Sequence, residues 1–191
     1  QGNPIGYYLF LQKAYQFDGA EIDSALAADS TLLQYKRVTK LVDAAKRKLA
    51  TSAGNQFTDF EITHEGNTQR LSDYVGKGDY AIVDFWASWC GPCRAEIPNI
   101  KTCYEKYQAK GFEVVGISFD AKKEDWAKCV EEMGIAWPQI SDLKGWECGA
   151  SDLYNVKAIP ATILYGPDGK VIKSGLRGEE LGKTLAEIFG E

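Results

Sequence analysis

The run Val83-Asp84-Phe85-Trp86-Ala87-Ser88-Trp89-Cys90-Gly91-Pro92-Cys93-Arg94 decides how this chain folds. It joins a continuous apolar stretch, residues 80–86 with Ile82 and Val83, to a segment that reads as a helix from the cysteines onward. A short apolar run of this kind is the pattern of a strand buried on both faces. Cys90 would then sit where unpaired backbone N–H groups and the positive end of the helix dipole favour a thiolate, the nucleophile of thiol–disulfide exchange. Cys93, one turn further in, would be close enough to attack a mixed disulfide on Cys90 and release the bound thiol. Pro92 suits a first turn, where its missing N–H has no intrahelical partner, and Gly91 leaves room for a substrate chain to approach. Asp84 is the odd residue of the apolar run. Burying an ionised carboxylate is costly, so its pKa is expected to be raised.

A Cys-x-x-Cys pair is also half of a zinc site, which needs a second such pair or paired histidines. The chain has one histidine, His64, and its other cysteines, Cys103, Cys129 and Cys148, stand alone. No metal and no cofactor are expected, and His64 reads as a surface residue near a turn. The lone cysteines read as small buried hydrophobes. A Cys129–Cys148 disulfide stays open at this point, since sequence does not bring two Cα atoms within reach. With 191 residues, 45% of them hydrophobic and 26% charged, the chain has the composition of a soluble globular protein with one principal domain and an appendage. Its 22 basic and 27 acidic residues, a net charge of −5, argue against a nucleic-acid binder. No apolar run is long enough to suggest a membrane span. The chain opens at Gln1 without a basic segment followed by an apolar one, so a targeting signal is expected to have been removed or never included.

Downstream of the motif the helix is expected to run to about residue 110, where Gly111 ends it. Residues 112–119 read as the next buried strand and residues 122–133 as a helix closed by Gly134. Residues 161–165 and 170–174 read as a hairpin through Gly166-Pro167-Asp168-Gly169, and residues 179–189 as the last helix. Upstream, residues 57–64 alternate apolar and polar, Gly66-Asn67 signals a turn, residues 68–71 return as a second short strand, and Ser72 opens a helical turn. A βαβ unit followed by a ββα unit implies an α/β fold with a sheet of mixed direction flanked by helices.

The first fifty residues have a different texture. Asn3-Pro4 is a helix start continued through residues 7–17, Asp18-Gly19 interrupts, residues 21–28 form a second helix, and Asp29-Ser30 is another cap. Leu32, Tyr35, Val38, Leu41, Val42, Ala45 and Leu49 then recur at three- and four-residue steps, the stripe of one amphipathic helix. Its other face carries Lys36, Arg37, Lys40, Lys46, Arg47 and Lys48, read as solvated rather than membrane-bound. Residues 1–55 are thus expected to be a helical extension, the tail of an upstream domain, ahead of an α/β domain at residues 56–191.

Residues 83–94 resemble the active-site strand and helix of the thioredoxin superfamily, and Ala158-Ile159-Pro160-Ala161-Thr162 resembles its cis-proline loop. Within it the likeness is to extracytoplasmic reductases of the TlpA and ResA type, which share the strand pair ahead of the core, a Glu then a Pro after the second cysteine (Glu96 and Pro98), and a long segment like residues 120–157. The resemblance, over residues 57–191, implies a thioredoxin-like fold and a thiol–disulfide oxidoreductase that reduces disulfides of extracytoplasmic proteins. It implies Cys90 and Cys93 as the redox pair, Asp84 as the group that moves a proton to or from Cys93, and Glu96 as a carboxylate that tunes the cysteines. Trp89, Gly91 and Pro92, with Ile159 and Pro160, would meet the substrate, while Trp86 packs in the core. The lysine that thioredoxins place near the buried Asp is replaced by Gly116. Implied partners are disulfide-bearing proteins and a membrane-bound thiol donor, in the periplasm or cell envelope, with tethering through an N-terminal part. A peroxiredoxin-like thiol peroxidase is the alternative enzyme, although Ala87-Ser88-Trp89 stands where its Thr and Pro pattern would be. A non-catalytic binding module is the other alternative, opposed by the intact cysteines.

Overall fold

The computed structural model describes residues 3–13, 19–64 and 66–191. Two compact units follow one another along the chain, Gln1–Ala50 and Thr51–Glu191. In the first, helix α1 (Pro4–Lys13) starts where Asn3 accepts the Gly6 N–H on its side chain at 2.9 Å, the capping geometry its sequence suggests. The rest of the helix expected up to residue 17 lies outside the described residues. Helix α2 is Gly19–Ala28. Asp29 then accepts the Thr31 N–H at 3.1 Å and caps a single 3-10 stretch, Ser30–Gln34, before helix α3 (Lys36–Leu49).

The one long helix expected from Leu32 is therefore broken, at Tyr35. Its backbone is extended there (φ −90°, ψ 113°), and its ring stacks on Tyr7 at 4.2 Å. The break lets Leu32 and Val38 both turn inward, joining Phe10, Ile22 and Val42 in a small core. Lys36, Arg37 and Lys40 are exposed, as a solvated face requires, and Arg47 is half-buried; the side chains of Lys46 and Lys48 lie outside what is described.

The second unit opens with a correction. The strand expected from residue 57 begins only at Glu61, because the preceding backbone is engaged elsewhere: Val171 N–H donates to Asn55 O at 2.8 Å and Phe57 N–H to Gly169 O at 2.9 Å. Strand β1 (Glu61–His64) pairs antiparallel with β2 (Asn67–Arg70) as a separate hairpin. His64 ends β1, and its side chain lies outside what is described.

The principal sheet has strands β3 (Tyr80–Trp86), β4 (Phe112–Ser118), β5 (Gln139–Ile140), β6 (Ala161–Tyr165) and β7 (Val171–Ser174), in the order β5-β4-β3-β6-β7. Strand β3 is parallel to β4 and antiparallel to β6, so the sheet is mixed as expected. Helices α4 (Gly91–Tyr107), α5 (Lys123–Glu132), α6 (Gly149–Leu153) and α7 (Gly178–Phe189) complete the unit. Gly111 stops the first of these after one 3-10 turn by entering the left-handed region, φ 88°. Helices α4 and α7 meet where Tyr107 stacks on Phe189 at 4.9 Å. Ala81 through Trp86 are all buried, which explains why β3 reads as unbroken apolar sequence around one carboxyl. The sequence reading missed β5 and α6; elements of two and five residues are too short to show a period.

Candidate active site

Strand β3 ends at Trp86, and Ala87, Ser88 and Trp89 carry the chain to Cys90, the N-cap residue of α4. Cys90 and Cys93 are joined in a disulfide, with Cα atoms 5.2 Å apart. The Cys93 N–H donates to Cys90 Sγ at 3.2 Å, so an amide of the helix's first turn already faces the sulfur on which a thiolate would develop. Cys90 and Cys93 are both buried, while Trp89, Gly91 and Pro92 are exposed around them.

The loop before Cys90 is held by a second buried carboxyl. Asp120 accepts the Ser88 N–H at 2.9 Å, the Ser88 hydroxyl at 2.5 Å and the Ser118 hydroxyl at 2.7 Å. The Phe85–Ala161 register of β3 and β6 puts the Ile159–Pro160 turn, a cis peptide, at the sheet end where β3 hands over to Cys90. Near Cys90, Trp89 faces Trp146 with ring centroids 6.5 Å apart, and Trp146 rests on Phe119 at 5.0 Å. The two indoles are half-exposed and form an aromatic ridge beside the disulfide.

Asp84 is 3% exposed, and its Oδ1 has no hydrogen-bond partner among the described residues. Burial pushes its pKa up from 3.8 to about 7; the Glu96 charge adds to the rise and Arg177 opposes it. Glu96 lies three residues after Cys93, on the same helix face. It is half-buried and engaged: Oε1 accepts the Gly178 N–H at 2.6 Å and Oε2 accepts from Asn99 Nδ2 at 3.3 Å. Gly116 is the β4 register partner of Asp84. A Cβ there would collide with the Gln139 side chain, whose Oε1 accepts the Trp86 indole N–H at 2.9 Å. Gly116 thus admits an amide from β5, and Trp86 is a core residue held by it.

Cys103, Cys129 and Cys148 are free and buried, so no Cys129–Cys148 disulfide forms. Burial raises all three thiol pKa values, that of Cys148 to about 11, which keeps them out of thiolate chemistry. The sequence reading passed over Asp120, Gln139, Trp146 and Arg177. Only Asp120 had a local signal, an acid just past the end of an apolar strand; Gln139 reaches the site from the two-residue strand β5, and Trp146 and Arg177 from segments distant in sequence. Among the described residues no cluster of His, Cys, Asp or Glu is placed to hold a metal ion, and no helix is long and apolar enough to cross a membrane.

A disulfide at a helix N-terminus, an unpaired buried carboxyl on the preceding strand and a cis-proline turn at the same sheet end define a dithiol enzyme of thioredoxin-like fold. Residues 53–174 match the AhpC/TSA family, and the chain belongs to that family. Thiol-disulfide oxidoreductase ResA of Geobacillus kaustophilus (strain HTA426) is 34% identical over 145 residues, which cover 74% of this chain and 80% of the relative. The crystal structure of the thioredoxin domain of a thiol-disulfide oxidoreductase from Bacteroides vulgatus is similar with a TM-score of 0.65 at 33% identity, over 72% of this chain and 97% of that one. The solution structure of a thiol:disulfide interchange protein from Bacteroides sp. gives 0.64 at 32% identity, over 74% and 93%. The protein is a thiol–disulfide oxidoreductase.

Proposed function

We propose that the enzyme works in the reducing direction, on disulfides of proteins outside the cytoplasm. The observation that supports this best is the Cys-Gly-Pro-Cys pair at the start of α4, just past the sheet's central strand, which itself carries a buried carboxyl without a hydrogen bond on Oδ1. In the dithiol form the Cys90 thiolate attacks one sulfur of a substrate disulfide; a mixed disulfide forms and the other substrate sulfur leaves as a thiolate. Asp84, ionised, takes the proton of the Cys93 thiol, with Glu96 setting how readily it does so. The Cys93 thiolate then attacks Cys90 Sγ and releases the second substrate thiol. Two electrons have passed to the substrate and the enzyme is left as the Cys90–Cys93 disulfide. A dithiol donor, which we take to be membrane-bound, returns the two electrons by the reverse exchange.

Trp89, Gly91 and Pro92 form one side of the substrate contact and Ile159–Pro160 the other, with the Ile159 backbone pairing to an extended chain. The activity is assigned to the second unit, residues 51–191, with residues 1–50 as a helical extension; residues 51–55, expected with the extension, are bonded to the β7 hairpin instead. Equilibration with glutathione is the test of direction. The expected potential is near that of thioredoxin, about −270 mV, and a value near −120 mV would mark an oxidant instead. Insulin reduction should vanish in Cys90→Ser. Peroxide consumption that survives in Cys93→Ser would point to a thiol peroxidase.

A further inference from the structure

The three residues between β7 and α7, together with Gly178 that opens α7, are each tied to the site. Gly175 N–H donates to the Thr162 carbonyl at 2.8 Å, and the Thr162 hydroxyl donates to the Leu176 carbonyl at 2.7 Å. Arg177 donates from Nη2 to the Pro160 carbonyl, and Gly178 N–H donates to Glu96 Oε1 at 2.6 Å. Thr162 is the β6 register partner of Asp84. One short turn therefore touches the strand beside Asp84, the cis-proline turn and the helix that bears both cysteines. Gly178 has φ +51°, a conformation a side chain would strain, so the turn is shaped for these contacts.

Arg177 brings the only cation to this cluster among the groups that act on Asp84. Strand β4 offers Gly116 and β6 offers Thr162, neither of them charged, and α4 offers the carboxylate Glu96 and the thiol Cys93. Two carboxyls against one another are unfavourable, and a cation nearby relieves them. We propose that Arg177 is a positioning residue of the exchange reaction, which seats the Ile159–Pro160 turn through the Pro160 carbonyl and supplies the positive charge that offsets Asp84 and Glu96. The direction of its effect on Asp84, opposite to that of burial and of Glu96, agrees with this.

The proposal rests on the proton role given to Asp84 above, and the experiment separates the two. The Asp84 carboxyl carbon is followed by NMR against pH in the oxidised full chain, assigned by its loss in Asp84→Asn, for wild type, Arg177→Gln and Arg177→Lys. The expected result is an Asp84 titration at least about half a pH unit higher in Arg177→Gln and close to wild type in Arg177→Lys, which keeps the charge. In parallel, KM for insulin should rise about three- to tenfold in both variants, since neither keeps the planar fork that reaches the carbonyl, while turnover of a small disulfide such as hydroxyethyl disulfide changes less. An unmoved Asp84 titration in Arg177→Gln, or an unmoved insulin KM in both variants, overturns the proposal. An Asp84 that titrates near 4 in wild type overturns the proton role itself, a different failure with a different signature. Arg177→Met, which also removes the charge, takes the place of Arg177→Gln if that variant lacks native circular dichroism, with the same expected and overturning outcomes.

Discussion

Asp84 and Asp120 are both buried, both lie on or just past a strand of the central sheet, and both are close in sequence or by hydrogen bond to the cysteine loop, yet their surroundings are opposite. Asp120 is surrounded by donors: a backbone amide and two hydroxyls, which tie the end of β4 to the residue two before Cys90. Asp84 has one oxygen with no donor and a second carboxylate close enough to act on it. A buried carboxyl satisfied on all sides is a strut, and its charge is part of the fold. One left unsatisfied exchanges stability for readiness to take or give a proton near neutral pH.

The strongest way to break this contrast is to neutralise each acid in turn. Asp84→Asn is expected to slow resolution of the mixed disulfide by about 10²-fold or more at pH 7, the range of a lost acid–base group, as read by stopped-flow quenching. Its effect on stability has the reverse sign. The folded protein keeps the Asp84 proton up to about pH 7 while the unfolded chain loses it near 3.8, so the stability this group contributes is complete below 3.8 and is lost as pH rises through 7. At ~1.4 kcal/mol per pH unit this amounts to on the order of 4 kcal/mol at most. Denaturant melts from pH 4 to 8 should show wild type weakening relative to Asp84→Asn across that window. Parallel curves would mean that Asp84 does not titrate there.

Asp120→Ala should instead destabilise at neutral pH, by about 3 kcal/mol, because three donors lose a charged acceptor. A stabilised Asp120→Ala protein would erase the distinction between the two acids. Glu96→Gln keeps an acceptor for the Gly178 N–H but removes the charge, so the Asp84 titration should move down by about half a pH unit in an NMR titration. The smallest effect is expected at the rim. Trp146→Ala should raise KM for a protein disulfide about two- to fivefold, an aromatic contact of roughly 0.5–1 kcal/mol, and leave the Asp84 titration in place.

How much of this was readable beforehand follows the same line. The cysteine pair, the buried strand carrying Asp84 and the proline turn are each written in a few adjacent residues, and the mixed sheet followed from the order of such runs. Glu96 was readable as a position one turn past Cys93, but its bond to the start of α7 was not. Residues 57–60 alternate like a strand and are not one, because Phe57 bonds to Gly169 in the turn before β7 and Asn55 to Val171 at its start. Tyr35 sits in a perfect helical stripe and breaks it, because its ring finds Tyr7.

By itself the sequence determined the nucleophile, the resolving cysteine, the odd carboxyl and the kind of sheet that holds them, since these depend on local spacing and on the cost of burying polar atoms. Only the tertiary structure decided what surrounds that carboxyl. It put Gln139 in the space above Gly116, gave Asp120 its three donors and brought Arg177 from the far end of the chain. Contacts between residues distant in sequence are set by how the elements pack, and no local pattern encodes them.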